Sequence, residues 1–396
     1  MNTTPEHPIM HHARLAATTA VLFVCSLAQG AGEHTVLLDD AEMRRFSSGL
    51  NAAAGLKVGV QMQLRYDINL REDDSLGDDD TTIGFQRRRL KVEAKGDITE
   101  SISGKVAFGF NRGGGDAALD DALVDWEIND SASLRIGQFK LPFMREELVS
   151  SKRQLSVERS SMNETFNQDR SQGVQLTFGG DAFRAAFAFS DGFGSEDTAF
   201  DSAGEADYAI TGRAEMKFGD AGWKAFDQFS SFRGAPRGGL IGVAGHFERT
   251  GDTNPTPAEG EIASFTIDGS YVADGWNLFG AFVWRNTDAG ATGFDDTGAV
   301  LQGGVFVSDQ AELFARWSAV FADSGRGATG DDYSDITAGL NYYLVPESHA
   351  AKFTVGVTYS LDATTTSIVR TSTGHNLLAD AEDGQIAITS QVQFLF

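Results

Sequence analysis

The sequence predicts an all-β fold: a closed antiparallel transmembrane β-barrel of about 16 strands, with a constriction loop folded into the lumen. Three observations lead there. In the last 12 residues, Gln385–Phe396, Ile386, Ile388, Val392, Phe394 and Phe396 fall on one face and Gln385, Thr389, Gln391 and Gln393 on the other, up to a terminal aromatic carboxylate. From Lys57 to Leu70, the residues Val58, Val60, Met62, Leu64, Tyr66, Ile68 and Leu70 alternate with Gly59, Gln61, Gln63, Arg65, Asp67 and Asn69. A strand this long, apolar on one side without interruption, suits a tilted crossing of a bilayer better than a soluble sheet. The third observation is that the connections sort by parity into short and long sets, which random strand placement would not do.

Taken in order, the chain opens on a stretch that reads as a secretory signal peptide, residues 1–30. Arg14 precedes an apolar run from Leu15 to Leu27, and Ala28-Gln29-Gly30 supplies the small residues of a cleavage site. The run is too short to span a membrane. The single cysteine, Cys25, lies inside it, so the mature chain offers no disulfide and no thiolate metal site. Residues 31–55 show no alternation and read as a periplasmic arm. The barrel then occupies residues 56–396.

Its further strands are expected at 83–96, 102–112, 120–129, 133–140, 172–179, 183–190, 207–218, 239–250, 263–273, 276–287, 299–308, 311–322, 334–344, 352–361 and 385–396. The composition agrees: 45 Gly and 29 Phe against 7 Pro favour strands and tight turns. An even strand number puts both termini on the periplasmic side, where the turns 97–101, 129–132, 179–182, 274–275, 308–310 and 345–351 are short. The exception, 219–238, carries Trp223, Phe226, Phe229 and Phe232 and is expected to fold into a small helical plug. On the other side the connections 72–82, 191–206, 288–298, 323–333 and 362–384 are longer and acidic.

Charge is unevenly spread. The whole chain carries 32 Lys and Arg against 56 Asp and Glu, a net charge of −24, which argues against a nucleic-acid partner. Residues 85–172 hold 14 of each sign, so this segment is neutral and the remainder carries the entire deficit. Within it Arg87, Arg89, Lys91 and Lys95 recur at alternate positions. Charges at bilayer depth are too costly to face lipid, so they should line the lumen as a basic ladder, with Arg88 on the outward face near an interface. Lys105, Arg135 and Lys140 on neighbouring strands extend the expected lining. The longest connection, 141–171, holds Arg145, Lys152, Arg153, Arg159 and Arg170 beside Glu146, Glu147, Glu158, Glu164 and Asp169. Folded inward, it would narrow the pore and set the two signs of charge against each other. The run Asp73–Asp80 lacks the ligand spacing of a calcium loop, and neither a metal nor a cofactor is expected.

Phe85-Gln86-Arg87-Arg88-Arg89-Leu90 resembles the Phe-Arg-Arg-x-Arg-Leu strand of the phosphate-selective porins of the O and P type. Gly137-Gln138-Phe139-Lys140-Leu141-Pro142-Phe143, followed by Glu147 and Ser150-Ser151, is similar to the family's motif at the start of its constriction loop. Glu158-Arg159 and Asp169-Arg170-Ser171-Gln172-Gly173-Val174 resemble the end of that loop. The resemblance implies a 16-stranded, trimeric, passive channel in the outer membrane, open to small hydrophilic solutes including anions such as phosphate. The family arginine position at Gln86 is not kept. The expected partners are lipopolysaccharide, the barrel-assembly machinery that reads Phe396, and small ions. Two other classes remain open on the residues alone: an outer-membrane esterase or protease barrel, and a secreted soluble adhesin or carbohydrate-binding module. The first would need a histidine beside a nucleophile at the rim, yet His34, His246, His349 and His375 adjoin no recurrent nucleophile motif.

Overall fold

The structure, a computed structural model, describes residues 55–71, 81–112, 114–200, 202, 205–251, 259–288, 290, 293–369 and 377–396. The expected signal peptide, nearly all of the arm and the acidic run of residues 73–80 lie outside the described residues. Sixteen strands run in order: β1 (Lys57–Leu70), β2 (Thr81–Asp97), β3 (Ile102–Phe110), β4 (Ala117–Asn129), β5 (Ala132–Lys140), β6 (Arg170–Gly179), β7 (Phe183–Ser190) and β8 (Tyr208–Gly219) form the first half. The second half is β9 (Gly238–Thr250), β10 (Gly260–Ala273), β11 (Trp276–Asp288), β12 (Gly293–Phe306), β13 (Ala311–Phe321), β14 (Tyr333–Tyr343), β15 (Ala351–Ser360) and β16 (Ile386–Leu395). Each pairs antiparallel with its neighbours, and β16 closes on β1 with Gln61 opposite Leu395 and Leu70 opposite Ile386. Phe396 completes the seam: its carbonyl accepts from Val60 N at 2.7 Å and its own amide donates to Val60 O at 3.1 Å.

The alternation read from β1 is the alternation observed. Gln61, Gln63, Arg65, Asp67 and Asn69 are buried inside, while Val58, Leu64 and Leu70 stand exposed outside. Closure leaves no sheet edge at the seam and satisfies the backbone within the wall, which is why strands can cross lipid. Expected strand boundaries hold to within about three residues except at one strand start. β12 begins at Gly293, six residues before the expected 299, because Gly293–Gly298 pair with Asp288–Val283. Asp295 and Asp296 break the apolar alternation there, yet a strand needs that pattern only where it faces lipid.

The connection after β5 turns inward and holds two short helices, α1 (Arg145–Leu148) and α2 (Ser161–Phe166). Ser160 caps α2, its Oγ accepting from Asn163 N at 3.0 Å. Phe143, Met144, Val149, Leu155, Met162 and Phe166 from this loop are buried in one cluster with Phe279 and Val283 of β11, Val300 of β12, and Phe314 and Val320 of β13. Burying each such side chain contributes about 1.5–3 kcal/mol, so the loop is held to the β11–β13 wall by its apolar residues. Gly298 lets it approach: a Cβ there would lie 2.6 Å from Met162 Cγ and 2.7 Å from Phe166 Cε2.

Candidate functional site: an ion-paired passage beside the constriction loop

With the loop pressed against β11–β13, open space remains on the opposite side. A cavity of about 650 Å³ runs between the inner faces of β2–β6 and the loop. Gly137, in the Gly-Gln-Phe-Lys-Leu-Pro-Phe motif that leads into the loop, has φ +125°, and a Cβ there would lie 2.1 Å from Ala122 O. Only glycine fits where β5 crosses β4 so closely.

Two β-bulges build the charged wall. In β2 the partners step from Gln63–Arg89 to Leu64–Arg87, leaving Arg88 extra. In β4 they step from Ala107–Asp121 to Phe108–Leu119, leaving Asp120 extra. A bulge sets two consecutive side chains on one face. Arg88 and Arg89 therefore both point inward, and so do Asp120 and Asp121. This corrects the expected ladder. Arg87 shares the outer face with Leu64 and lies outside the cavity lining, and Arg88, expected outside, takes its place. The doublets Arg88-Arg89 and Asp120-Asp121 are visible in the sequence, but strict period-two reading hides a bulge.

The structure gathers ion pairs here. Lys91 Nζ lies 2.5 Å from Asp120 Oδ2, Lys105 Nζ 2.7 Å from Asp121 Oδ2, Arg170 Nε 2.8 Å from Asp121 Oδ1, and Arg135 Nε 2.7 Å from Asp125 Oδ1. From the loop, Lys152 Nζ reaches Glu93 Oε1 at 2.9 Å, while Glu147 bonds Lys140 and sits 3.2 Å from Arg159 Nε. The two signs were expected to face each other across the pore; most instead pair side by side along the wall, where long side chains reach a partner on the next strand or the one beyond it.

Glu158 is the point where loop and wall lock. Its carboxylate accepts from Arg88 Nε at 2.6 Å, from Arg89 Nη2 at 2.5 Å, and from the buried Arg65, which also donates to Val157 O at 2.8 Å. Burial alone would raise the Glu158 carboxyl, but the guanidiniums of Arg88, Arg89 and Arg65 hold it well below the usual carboxylate range. It is a tie, not an exposed constriction charge as expected. Glu146 is likewise interior, accepting from Ser160 N at 2.7 Å and Ser160 Oγ at 2.6 Å. Arg145 and Arg153 also leave the expected lining. Arg145 is buried beneath the loop against Phe226 and Phe229, and Arg153 offers its carbonyl to Phe229 N at 3.1 Å.

The lining carries ten cationic side chains, Arg88, Arg89, Lys91, Lys105, Arg112, Arg135, Lys140, Lys152, Arg159 and Arg170. Seven carboxylates share it: Glu93, Asp120, Asp121, Glu147, Glu164, Asp169 and Glu196. Counting Arg65, Asp125 and Glu158 behind the surface gives eleven against nine, still two positive charges in excess. Glu164 is the odd member: half-buried on α2, it accepts no hydrogen bond and makes no ion pair with any described residue. Burial pushes its carboxyl up to about 7, with Arg159 opposing and Glu147 and Glu158 adding to the rise. Glu196 moves in the same direction through partial desolvation and nearby Asp169, but it stands exposed at the mouth, where water screens it, so Glu164 is the stronger pH-sensitive group. Glu164 belongs to the loop's mixed charge in the sequence, but that it lacks a partner among the described residues is set only by folding.

The family model described as phosphate-selective porin O and P matches residues 57–222. That segment is similar to the porin O and P family. The barrel as a whole is similar to solved structures across 86% of the chain. An anion-selective porin from Comamonas acidovorans superposes with a TM-score of 0.60 at 13% identity over 99% of its own length. OmpT of Vibrio cholerae gives 0.58 at 13% over 97%, and the channel DcaP of Acinetobacter baumannii 0.55 at 12% over 97%. No curated protein matches the chain in sequence. The match and the barrel fold support a passive outer-membrane channel, and the cavity beside β2–β6 is where the barrel's charges converge.

Proposed function

We propose that this porin conducts small hydrophilic anions through the β2–β6 passage. The observation that carries the reading is the excess of two positive charges around that cavity in a chain whose net charge is −24. A narrow, low-dielectric passage responds to the charges within it more than to distant loops. Reversal potentials across a planar bilayer in a salt gradient test it: anion preference supports the reading, and cation preference at neutral pH would sink it.

Assembly follows from the same wall. β2 pairs with β3 only from Lys91 onward, so residues 81–90 have β1 on one side and no described strand on the other. Phe85, 87% exposed, and the outward Arg87 stand on this strip. Unpaired backbone and a guanidinium at the height of the apolar band are costly against lipid. A neighbouring copy would cover them, which fits a homotrimer, and a trimer form is among the solved OmpT structures. We further infer export through residues 1–30, recognition of Phe396 by the assembly machinery, and contact of the acidic outer loops with lipopolysaccharide through divalent ions.

Among the described residues, an enzymatic reading has one geometric candidate, the line Thr211 Oγ1–His246 Nδ1 at 2.8 Å and His246 Nε2–Glu248 Oε2 at 3.1 Å. Thr211 and His246 are buried in the wall, which keeps any substrate from the hydroxyl. Their role is to satisfy one another.

A further inference from the structure

The connection between β8 and β9, residues 220–237, is long for a periplasmic turn and does not hang free. It folds up into the barrel, with Trp223–Phe226 as a 3-10 turn and Phe226, Phe229, Ser230 and Ser231 buried. It touches the constriction loop twice through backbone groups: Phe229 N donates to Arg153 O at 3.1 Å, and the buried Arg145 donates to Phe226 O. The Arg145 guanidinium also lies 5.8 Å and 6.0 Å from the ring centres of Phe226 and Phe229. On its other side the segment is anchored to the far wall. Phe229 packs on Phe279 at 4.7 Å, Phe232 on Tyr343 at 5.1 Å, Ser230 Oγ bonds Glu312 Oε2 at 3.0 Å, and Gln228 Oε1 meets His349 Nε2 at 2.9 Å.

We propose that residues 220–237 are a second constriction element: a floor that holds the loop against β11–β14 and leaves the β2–β6 side open, with Arg145 as the positioning residue joining floor to loop. The proposal concerns the cross-section of the pore and stands whichever ion the passage prefers. Phe229 belongs to the same packed cluster as Phe143, Met162 and Phe166, so removing it takes support from the loop as well as from the floor.

The test replaces residues 222–235 by a short Gly-Ser turn, since Gly219 and Gly238 already pair across β8 and β9. Folded barrels, identified by heat-modifiable migration, are reconstituted in planar bilayers and in liposomes. Single-channel conductance should rise about twofold or more and larger neutral sugars should enter the liposomes, because flow follows open cross-section. The reversal potential should barely move, since the β2–β6 charges stay in place. Unchanged conductance and sugar cut-off in folded barrels overturns the proposal. Should the replacement not fold, Arg145→Gln and Phe229→Ala carry the test: raised current noise with intermediate conductance supports the floor. A lower unfolding temperature with unaltered conductance and noise shows a merely structural contact and overturns it.

Discussion

The two sides of this barrel are built by the same strand pattern and filled by opposite chemistry. Along β11–β14 the inner face offers Phe279, Val283, Val300, Phe314 and Tyr333, and the loop lays Phe143, Leu155, Met162 and Phe166 onto them. Along β2–β6 the inner face offers Arg88, Arg89, Lys91, Asp120, Asp121 and Arg170, and space stays open. A loop with one apolar and one charged face settles on the wall that buries more carbon, since desolvating ion-paired arginines would cost more than burying aliphatic surface yields. The position of the pore thus follows from where inward apolar residues sit, and the charges line what is left.

The largest effect on this division should come from Glu158→Gln. It removes the carboxylate shared by Arg65, Arg88 and Arg89, and breaking a buried pair of this kind costs about 3–5 kcal/mol. Heat-modifiability gels should show unfolding at lower temperature, and the channels that remain folded should become more anion-selective. Next is Gly298→Leu, which drives a side chain into Met162 and Phe166 and should cost about 1–3 kcal/mol by overpacking, with noisier current as α2 lifts from β12. A quiet, wild-type trace from that variant would mean that the loop does not rest on β12.

Selectivity sharpens the comparison on the charged side. Arg88→Ala with Arg89→Ala should shift the reversal potential toward cations, more so at low salt, where the Debye length is about 30 Å at 0.01 M. Arg87→Ala should leave it unchanged, because Arg87 pairs across from Leu64 on the outer face. An equal shift from Arg87→Ala would mean there is no bulge at Arg88. Smaller still is the pH response. The Glu164 carboxyl, raised to about 7, is ionised at pH 8 and protonated at pH 6, so acidification adds positive charge to the passage and should strengthen anion preference across that interval. In Glu164→Gln this pH step should be absent or much reduced. Deleting Phe396 should change the folded barrel least. Its side chain is 73% exposed and only its two backbone hydrogen bonds to Val60 are lost, so cellular assembly should fall while heat resistance of the assembled fraction is kept.

The strands were legible because lipid imposes period two, and Lys57–Leu70 and Gln385–Phe396 carry it almost unbroken. The loop was legible from its length and mixed charge. What sequence reading placed wrongly depends on geometry that period two does not encode. A bulge at Arg88 reverses which of Arg87 and Arg88 faces the lumen, and a second at Asp120 adds a carboxylate to the wall. Arg145, Arg153, Glu146 and Glu158 were grouped with the pore because they are charged and lie in the loop. Their partners, the Phe226 carbonyl, Phe229 N, Ser160 and the Arg65 guanidinium, are brought to them only by folding.

The division of the lumen is tested most directly by thiol access, which the chain permits because Cys25 is its single cysteine. Ala107→Cys places a thiol on the inner face of β3 in the open cavity, and Val300→Cys places one on the inner face of β12 beneath the loop. A charged methanethiosulfonate added to open channels should cut the current through Ala107→Cys stepwise and leave Val300→Cys unaffected. Rapid block of Val300→Cys with Ala107→Cys untouched would put the passage on the opposite side and contradict the account.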